Sequence, residues 1–241
     1  MKLITLSSLG IALFFSSCSS SSAPSSNGPD VWGHRPGPKG FTTVILDAGH
    51  GGKDSGAVSP WTGQKEKDLT LDMVKRIKSE LGGSFKTILM RNSDEFIDLD
   101  ERVVRANHYG DAVLVSVHFN SGPQQVRGPE TYYWRVDSHG LATHLQSAME
   151  ATSPAERANR ELVRRRLRLT RNPEIPSVLI ECGYLSNVSE AQLCSSNGYR
   201  QQLAKSIAEA IRTQSAVGDA GTGPLPEPIN APPSRPTDAP E

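Results

Sequence analysis

Four side chains in this sequence have the types needed for metal-assisted hydrolysis. His50 follows the apolar run Val44-Ile45-Leu46 through Asp47-Ala48-Gly49, His118 ends the run Ala112–Val117, and Glu181 ends Ser177–Ile180. Glu66 stands in Lys65-Glu66-Lys67-Asp68, where an amphipathic helix begins. Two imidazoles and one carboxylate with an open fourth position suit catalytic zinc, which takes nitrogen and anionic oxygen donors at about 2.0–2.2 Å. His50, Glu66 and His118 are therefore candidate ligands for one zinc ion per chain. Zinc lowers the pKa of water from about 15.7 to about 7, and a nearby carboxylate can take the proton as the water attacks a carbonyl. Glu181 is the candidate for that catalytic role. Asn120, two residues past His118, could orient substrate or a metal ligand; a plain loop role fits it equally. These residues are scattered along the chain and match no compact metal motif. A strand-end histidine is as readily a hydrogen-bonded structural residue.

The elements that must position these groups are read from apolar periodicity. Short apolar runs at Thr42–Leu46, Lys86–Met90, Ala112–His118, Thr131–Trp134 and Ser177–Glu181 predict strands. Asp68–Leu81 predicts a helix, with Leu69, Met73, Ile77 and Leu81 on one stripe and Gly82-Gly83 as its stop. Leu99–His108, Leu141–Ala151, Glu156–Val163 and Tyr199–Ile211 are the other helical stretches. The alternation predicts an α/β fold: a single catalytic domain with a largely parallel, twisted central sheet and helices on both faces. In such sheets ligands gather at the carboxyl ends of strands, where His50, His118 and Glu181 fall. Gly49, Gly51 and Gly52 let the chain turn sharply there. The loop Lys53–Lys65 could fold back to set Glu66 over the strand ends.

Composition bounds the rest. Of 241 residues 36% are hydrophobic, and Pro and Ser crowd both ends, so the middle should be compact and the ends not. The 26 basic and 26 acidic residues balance, which argues against nucleic-acid binding. The segment 1–17 reads as an export signal: Lys2, then a short apolar stretch too short to span a bilayer, then Ser16-Ser17-Cys18. Small residues before a cysteine resemble the lipobox of bacterial lipoproteins, which implies cleavage before Cys18, its lipidation and a membrane anchor. The competing reading is an ordinary signal cut within the serine run. Residues 18–39 read as a Ser/Pro/Gly-rich tether, 40–214 as the catalytic domain and 215–241 as a disordered Pro-rich tail. Cys182 and Cys194 could form a disulfide or remain buried thiols. His34, His108, His139 and His144 are poorer ligand candidates: His34 lies in the tether, His108 at a helix end, and the last two on an expected surface helix. The seven arginines in 157–171 suit either a solvated face or a grip on substrate carboxylates. Gly49–Gly56 lacks the spacing of a phosphate loop.

Several separated stretches, in order, closely resemble the zinc-dependent N-acetylmuramoyl-L-alanine amidases of bacterial cell walls, in their type-3 catalytic domain. They are V-I-L-D-A-G-H-G-G-K-D-S-G-A, K-E-K-D-L-T-L, M-R-N-S-D-E-F-I-D-L-D-E-R-V-V-R-A-N, S-V-H-F-N-S, A-N-R-E-L and I-P-S-V-L-I-E-C-G-Y-L-S-N. The resemblance runs from about Thr42 to Ile211. It implies that His50, Glu66 and His118 occupy the zinc-ligand positions and Glu181 that of the catalytic glutamate. The implied reaction is hydrolysis of the amide between the lactyl group of N-acetylmuramic acid and L-alanine of the stem peptide. Peptidoglycan is then the partner, in wall remodelling or daughter-cell separation. The expected location is the periplasm, on a lipid anchor in a bacterial membrane, with the outer membrane favoured over the inner but not fixed by the sequence; the sequence identifies no activator protein. Thr70, Phe119 and Cys182 depart from the family's usual residues. Some relatives insert a long inhibitory helix between the segments matching Trp134 and Asn159; the shorter connection here predicts an open cleft. A zinc peptidase acting within the stem peptide and a non-catalytic wall-binding lipoprotein are the rival readings.

Overall fold

A computed structural model of the chain describes residues 35–154, 160–227 and 229. Cys18, His34 and the export segment lie outside the described residues, as do residue 228 and residues 230–241 of the expected tail.

One sheet of six strands forms the centre, in the order β2-β1-β3-β6-β4-β5. β1 (Thr43–Ala48), β2 (Lys86–Leu89), β3 (Ala112–Asn120) and β6 (Ser177–Tyr184) are parallel. β4 (Glu130–Tyr133) runs antiparallel to β6, and β5 (Leu162–Arg164) runs parallel to β4. The sheet is thus mixed but mostly parallel. β1, β3 and β6 are buried almost throughout because helices cover both faces, which is why they read as unbroken apolar runs.

One face packs on α1 (Glu66–Leu81), α3 (His139–Thr152) and α6 (Asn197–Val217) through Val44, Leu46, Val115, Val117, Val178 and Ile180. The other face packs Ile45 and Leu114 under α2 (Leu99–Asn107) and α4 (Arg168–Arg171). α5 (Val188–Ser195) links β6 to α6.

Three expectations change. Helix was expected over Glu156–Val163, but Leu162–Arg164 is the edge strand β5 and residues 155–159 lie outside the described residues. Leu162 and Val163 pack on opposite faces of the sheet, a period of two that the backbone ladder to β4 enforces over a weak helical signal. α6 runs to Val217, past the boundary drawn at 214, and beyond it Asp219 accepts the Gly37 N–H at 2.6 Å. α3 is not a surface helix: Leu141, Leu145 and Met149 are fully buried against the core. Cys182 and Cys194 are both buried free thiols, and burial pushes both thiol pKa values up, leaving them unreactive.

Candidate metal centre

The cluster assembles at the carboxyl edge of β1 and β3. His50, Glu66 and His118 are all buried, and one donor atom from each lies within 4.8 Å of the others. Glu66 Oε1 lies 3.1 Å from His50 Nε2 and 3.0 Å from His118 Nδ1. Backbone N–H groups hold this carboxylate from both sides: Ala57 donates to Oε2 at 2.8 Å and Phe119 to Oε1 at 3.0 Å. The loop Lys53–Lys65 does fold back, since Ala57 O accepts the Glu66 N–H at 2.8 Å.

His50 is the only non-glycine residue with positive φ among the described residues, at 57°. A side chain in that region costs about 1–3 kcal/mol and persists only where its surroundings enforce it. Two buried arginines do so. Arg102 donates to the carbonyls of His50 and Ala48, each at 2.8 Å, and pairs with buried Asp47, which also accepts the Ser116 hydroxyl at 2.7 Å. Arg91 donates to Ala48 O at 3.0 Å and Gly49 O at 2.9 Å. Thr70 fills its unusual position usefully, donating to the same Gly49 carbonyl at 2.9 Å. Phe119 sends its ring wholly into the core and its N–H to Glu66.

The donor set fits a divalent metal. His50 Nδ1 lies 2.8 Å from Asp54 Oδ2, a partner that leaves Nε2 as the nitrogen turned toward Glu66. Space around the rings is reserved by glycines. A Cβ on Gly49 would lie 2.2 Å from His118 Cε1, and one on Gly56 would lie 2.6 Å from both Glu66 Oε2 and His50 Cδ2. Electrostatics agree: burial alone would lower the pKa of His50, but the hydrogen bonds and charges of Glu66 and Asp54 raise it to about 9. Burial pushes Glu66 up, and the two histidines outweigh it and hold the carboxyl well below its usual range. Glu66 and Asp54 thus place negative charge around His50 that suits a cation there.

Glu181 is brought to the same place. In register it is the parallel partner of His118 and the antiparallel partner of Glu130. Past Glu181, β6 bulges at Cys182-Gly183, so that Tyr184 pairs with Asn120. Gly183 sits there at a φ of 153°, which side chains rarely adopt, and a Cβ on it would crowd Glu190 Oε2 at 2.9 Å and Cys194 Sγ at 3.0 Å. Glu66, His118, Asn120 and Glu181 line a cleft of about 380 Å³, together with Tyr132 and Arg165 from the β4–β5 side. No described residue of α3 lines it.

Among the described residues the other histidines stay away from the cluster. His108 caps α2, His139 packs edge-on to Tyr133 at 5.3 Å, and His144 lies 3.2 Å from Gly218 O.

Sequence reasoning passed over several residues that shape the site. Asp54 carried a signal, four positions after His50 in a glycine-rich turn. Arg91 and Arg102 carried only their place in a motif. Glu130 carried none, yet it is fully buried, pairs with Arg160, and accepts the hydroxyls of Tyr132 and Tyr184 at 2.8 Å each. Tyr184 in turn accepts from Asn120 Nδ2 at 3.2 Å.

Fold and cluster define an α/β protein with a candidate metal centre at the carboxyl edge of its sheet. Comparison supplies the family. A family model described as N-acetylmuramoyl-L-alanine amidase matches residues 44–213. The endolysin of Bacillus phage SPP1 is 36% identical over 176 residues, covering 70% of this chain and 64% of the endolysin. The catalytic domain of the amidase CwlV from Bacillus (Paenibacillus) polymyxa var. colistinus superposes with a TM-score of 0.68 at 32% identity, covering 72% of this chain and 97% of that one. The amidase AmiC2 of Nostoc punctiforme gives a TM-score of 0.67 at 33% identity, covering 73% and 98%. The chain belongs to the N-acetylmuramoyl-L-alanine amidase family of cell-wall hydrolases.

Proposed function

We propose that this chain uses zinc to hydrolyse the amide between the lactyl group of N-acetylmuramic acid and L-alanine of the peptidoglycan stem peptide. The observation that carries the reading is the meeting of His50, Glu66 and His118 within 4.8 Å, in a cleft that Glu181 also lines. His50, Glu66 and His118 would hold the ion, a two-imidazole, one-carboxylate set that favours zinc over magnesium or calcium. Bound there, zinc supplies Lewis acidity toward the amide carbonyl and a water of lowered pKa.

The chain's own residues do the rest. Glu181 accepts the proton of the attacking water and returns it to the leaving amine of L-alanine. Its place beside His118 on the neighbouring strand supports that role. Asp54 keeps His50 in one tautomer. Asn120, tied to Tyr184, presents a polar group to the substrate at the cleft wall.

The same reading sets the enzyme outside the cytoplasm. Cys18 carries the lipid, residues 18–39 form the tether, and the domain works on periplasmic peptidoglycan from the outer membrane, in wall remodelling or cell separation. Among the described residues no helix is long and apolar enough to cross a membrane. Loss of fatty-acid labelling in Cys18→Ala tests the anchor.

Mass analysis of digests of purified peptidoglycan, with and without chelator, tests the chemistry. The expected products are glycan bearing a free lactyl carboxyl and peptide beginning at L-alanine, both abolished by chelator and restored by zinc. Cleavage inside the peptide would instead make the chain a peptidase, and zinc-loaded protein that binds without cleaving would make it a wall-binding module.

A further inference from the structure

The cleft has two chemically different ends. One holds the cluster on β1 and β3; the other is walled by Tyr132 on β4 and by Arg165 just past β5. Strand order places Glu181, on β6, between them. Neighbouring strands lie about 4.8 Å apart, so β5 stands about three spacings, or ~14 Å, from β3.

Arg165 differs from Arg160, Arg164 and Arg168 of its run. Arg160 pairs with Glu130, Arg168 pairs with Asp100, and Arg164 donates to the carbonyls of Trp134 and Glu227. Arg165 has no carboxylate partner among the described residues. Its guanidinium lies 5.6 Å from the centre of the Tyr132 ring, on the cleft wall. Stacking of this kind pre-orients the planar fork for a carboxylate. The backbone beneath it is fixed, with its N–H on Tyr133 O and its carbonyl on the Thr170 hydroxyl, each at 2.8 Å.

The substrate's charge is equally one-sided. In uncleaved peptidoglycan the lactyl carboxyl is tied up in the scissile amide, so the muramic glycan offers no carboxylate. The stem peptide offers several. An extended peptide advances about 3.3 Å per residue, which brings its second or third residue to the β4–β5 wall when the scissile amide lies near Glu181.

We infer that Arg165 is a specificity-determining residue that receives a stem-peptide carboxylate, so that the peptide lies across β6, β4 and β5. This rests on the amidase reading for the identity of the substrate, not for the existence of the site. The test is kcat/KM for wild type, Arg165→Ala and Arg165→Lys on a soluble muramoyl tripeptide and on versions with each carboxylate in turn made a carboxamide. For wild type one such version falls about tenfold, mainly through KM, as a lost hydrogen bond between charged groups predicts. Arg165→Ala equalises that pair, and Arg165→Lys retains part of the difference. A wild type indifferent to every amidation, or an Arg165→Ala that still discriminates, overturns the inference. If zinc-loaded wild type cleaves none of them, the amidase reading fails and calorimetry with the free tripeptide decides Arg165. Binding about tenfold weaker in Arg165→Ala sustains the assignment, and unchanged binding overturns it.

Discussion

The two ends of the cleft are built on opposite plans. At the β1 end the three candidate ligands are buried and their surroundings are tied to backbone: two N–H groups hold Glu66, and two buried arginines hold the carbonyls of Ala48, Gly49 and His50. At the β4–β5 end the wall carries a long cationic side chain resting on an aromatic ring, Arg165 over Tyr132, while Arg164 stacks on Tyr133 and Trp134 outside the cleft lining. Backbone-held groups keep their geometry to a few tenths of an ångström, which metal binding and proton transfer require. Stacked arginines adapt, which suits recognition of a variable polymer. On the proposed reading, chemistry is confined to one end and adjustment to substrate is left to the other.

Substitutions should separate the two ends by size of effect. The largest is expected for Glu181→Gln. It should lower hydrolysis by about 10²- to 10⁴-fold, the range for loss of a general acid–base group, with zinc content by atomic absorption unchanged. Activity lost together with zinc would move Glu181 from proton transfer to metal retention. Next comes Arg102→Met. Breaking a buried pair by removing one partner costs about 3–5 kcal/mol, and here Asp47 would be left buried and uncompensated. Urea unfolding should report that loss, whereas Arg164→Ala at the far end should stay within about 0.5 kcal/mol of wild type.

How much of this was legible in the sequence follows the same division. The strands bearing His50, His118 and Glu181 were legible because each is buried on both faces, so each is an unbroken apolar run with a polar end. Glu66 was legible as the start of a strongly periodic helix. The pairing of Asp47 with Arg102 was not, because a contact across 55 positions leaves no local pattern. β5 was missed because three half-buried residues among arginines carry too little periodicity, and its strand state comes from the ladder with β4. The reversal of β4 and β5 was hidden for the same reason, since strand direction depends on connections that composition does not encode.

A smaller substitution probes how closely the β1 end is fitted. Gly49→Ala places a methyl group 2.2 Å from His118 Cε1, closer than any real contact, so the imidazole must move. A displacement near 1 Å in a reacting site can cost about 10²-fold in rate. The variant should fold, lose about that much activity and bind zinc more weakly. Normal zinc affinity would mean that the His118 ring tolerates a shift and that the fit is looser than the glycines indicate. Gly110→Ala is the matched control for the glycine-to-alanine change alone, because Gly110, like Gly49, has no positive φ, and nothing lies within 4 Å of its added Cβ.

The smallest expected effect belongs to the other end and appears only in alkali. Tyr132 and Tyr184 donate to the same buried Glu130 oxygen, and Arg160 closes the group from the other oxygen. Burial raises both phenol pKa values, and the hydrogen bond and charge of Glu130 raise them further. A phenol whose folded pKa exceeds its unfolded value of about 10 stabilises the fold fully below that pH and loses its contribution as pH rises beyond it. Stability should therefore fall above pH 10, by at most about 1.4 kcal/mol per pH unit for each tyrosine. Tyr184→Phe should remove one such contribution and flatten the alkaline limb of the unfolding curve. Tyrosinate absorbance, followed in parallel, should show one fewer late-titrating phenol. If Tyr184 ionises near pH 10 in the folded protein, Glu130 does not hold the hydroxyl, and Asn120 loses the anchor that links this end of the cleft to the candidate metal centre.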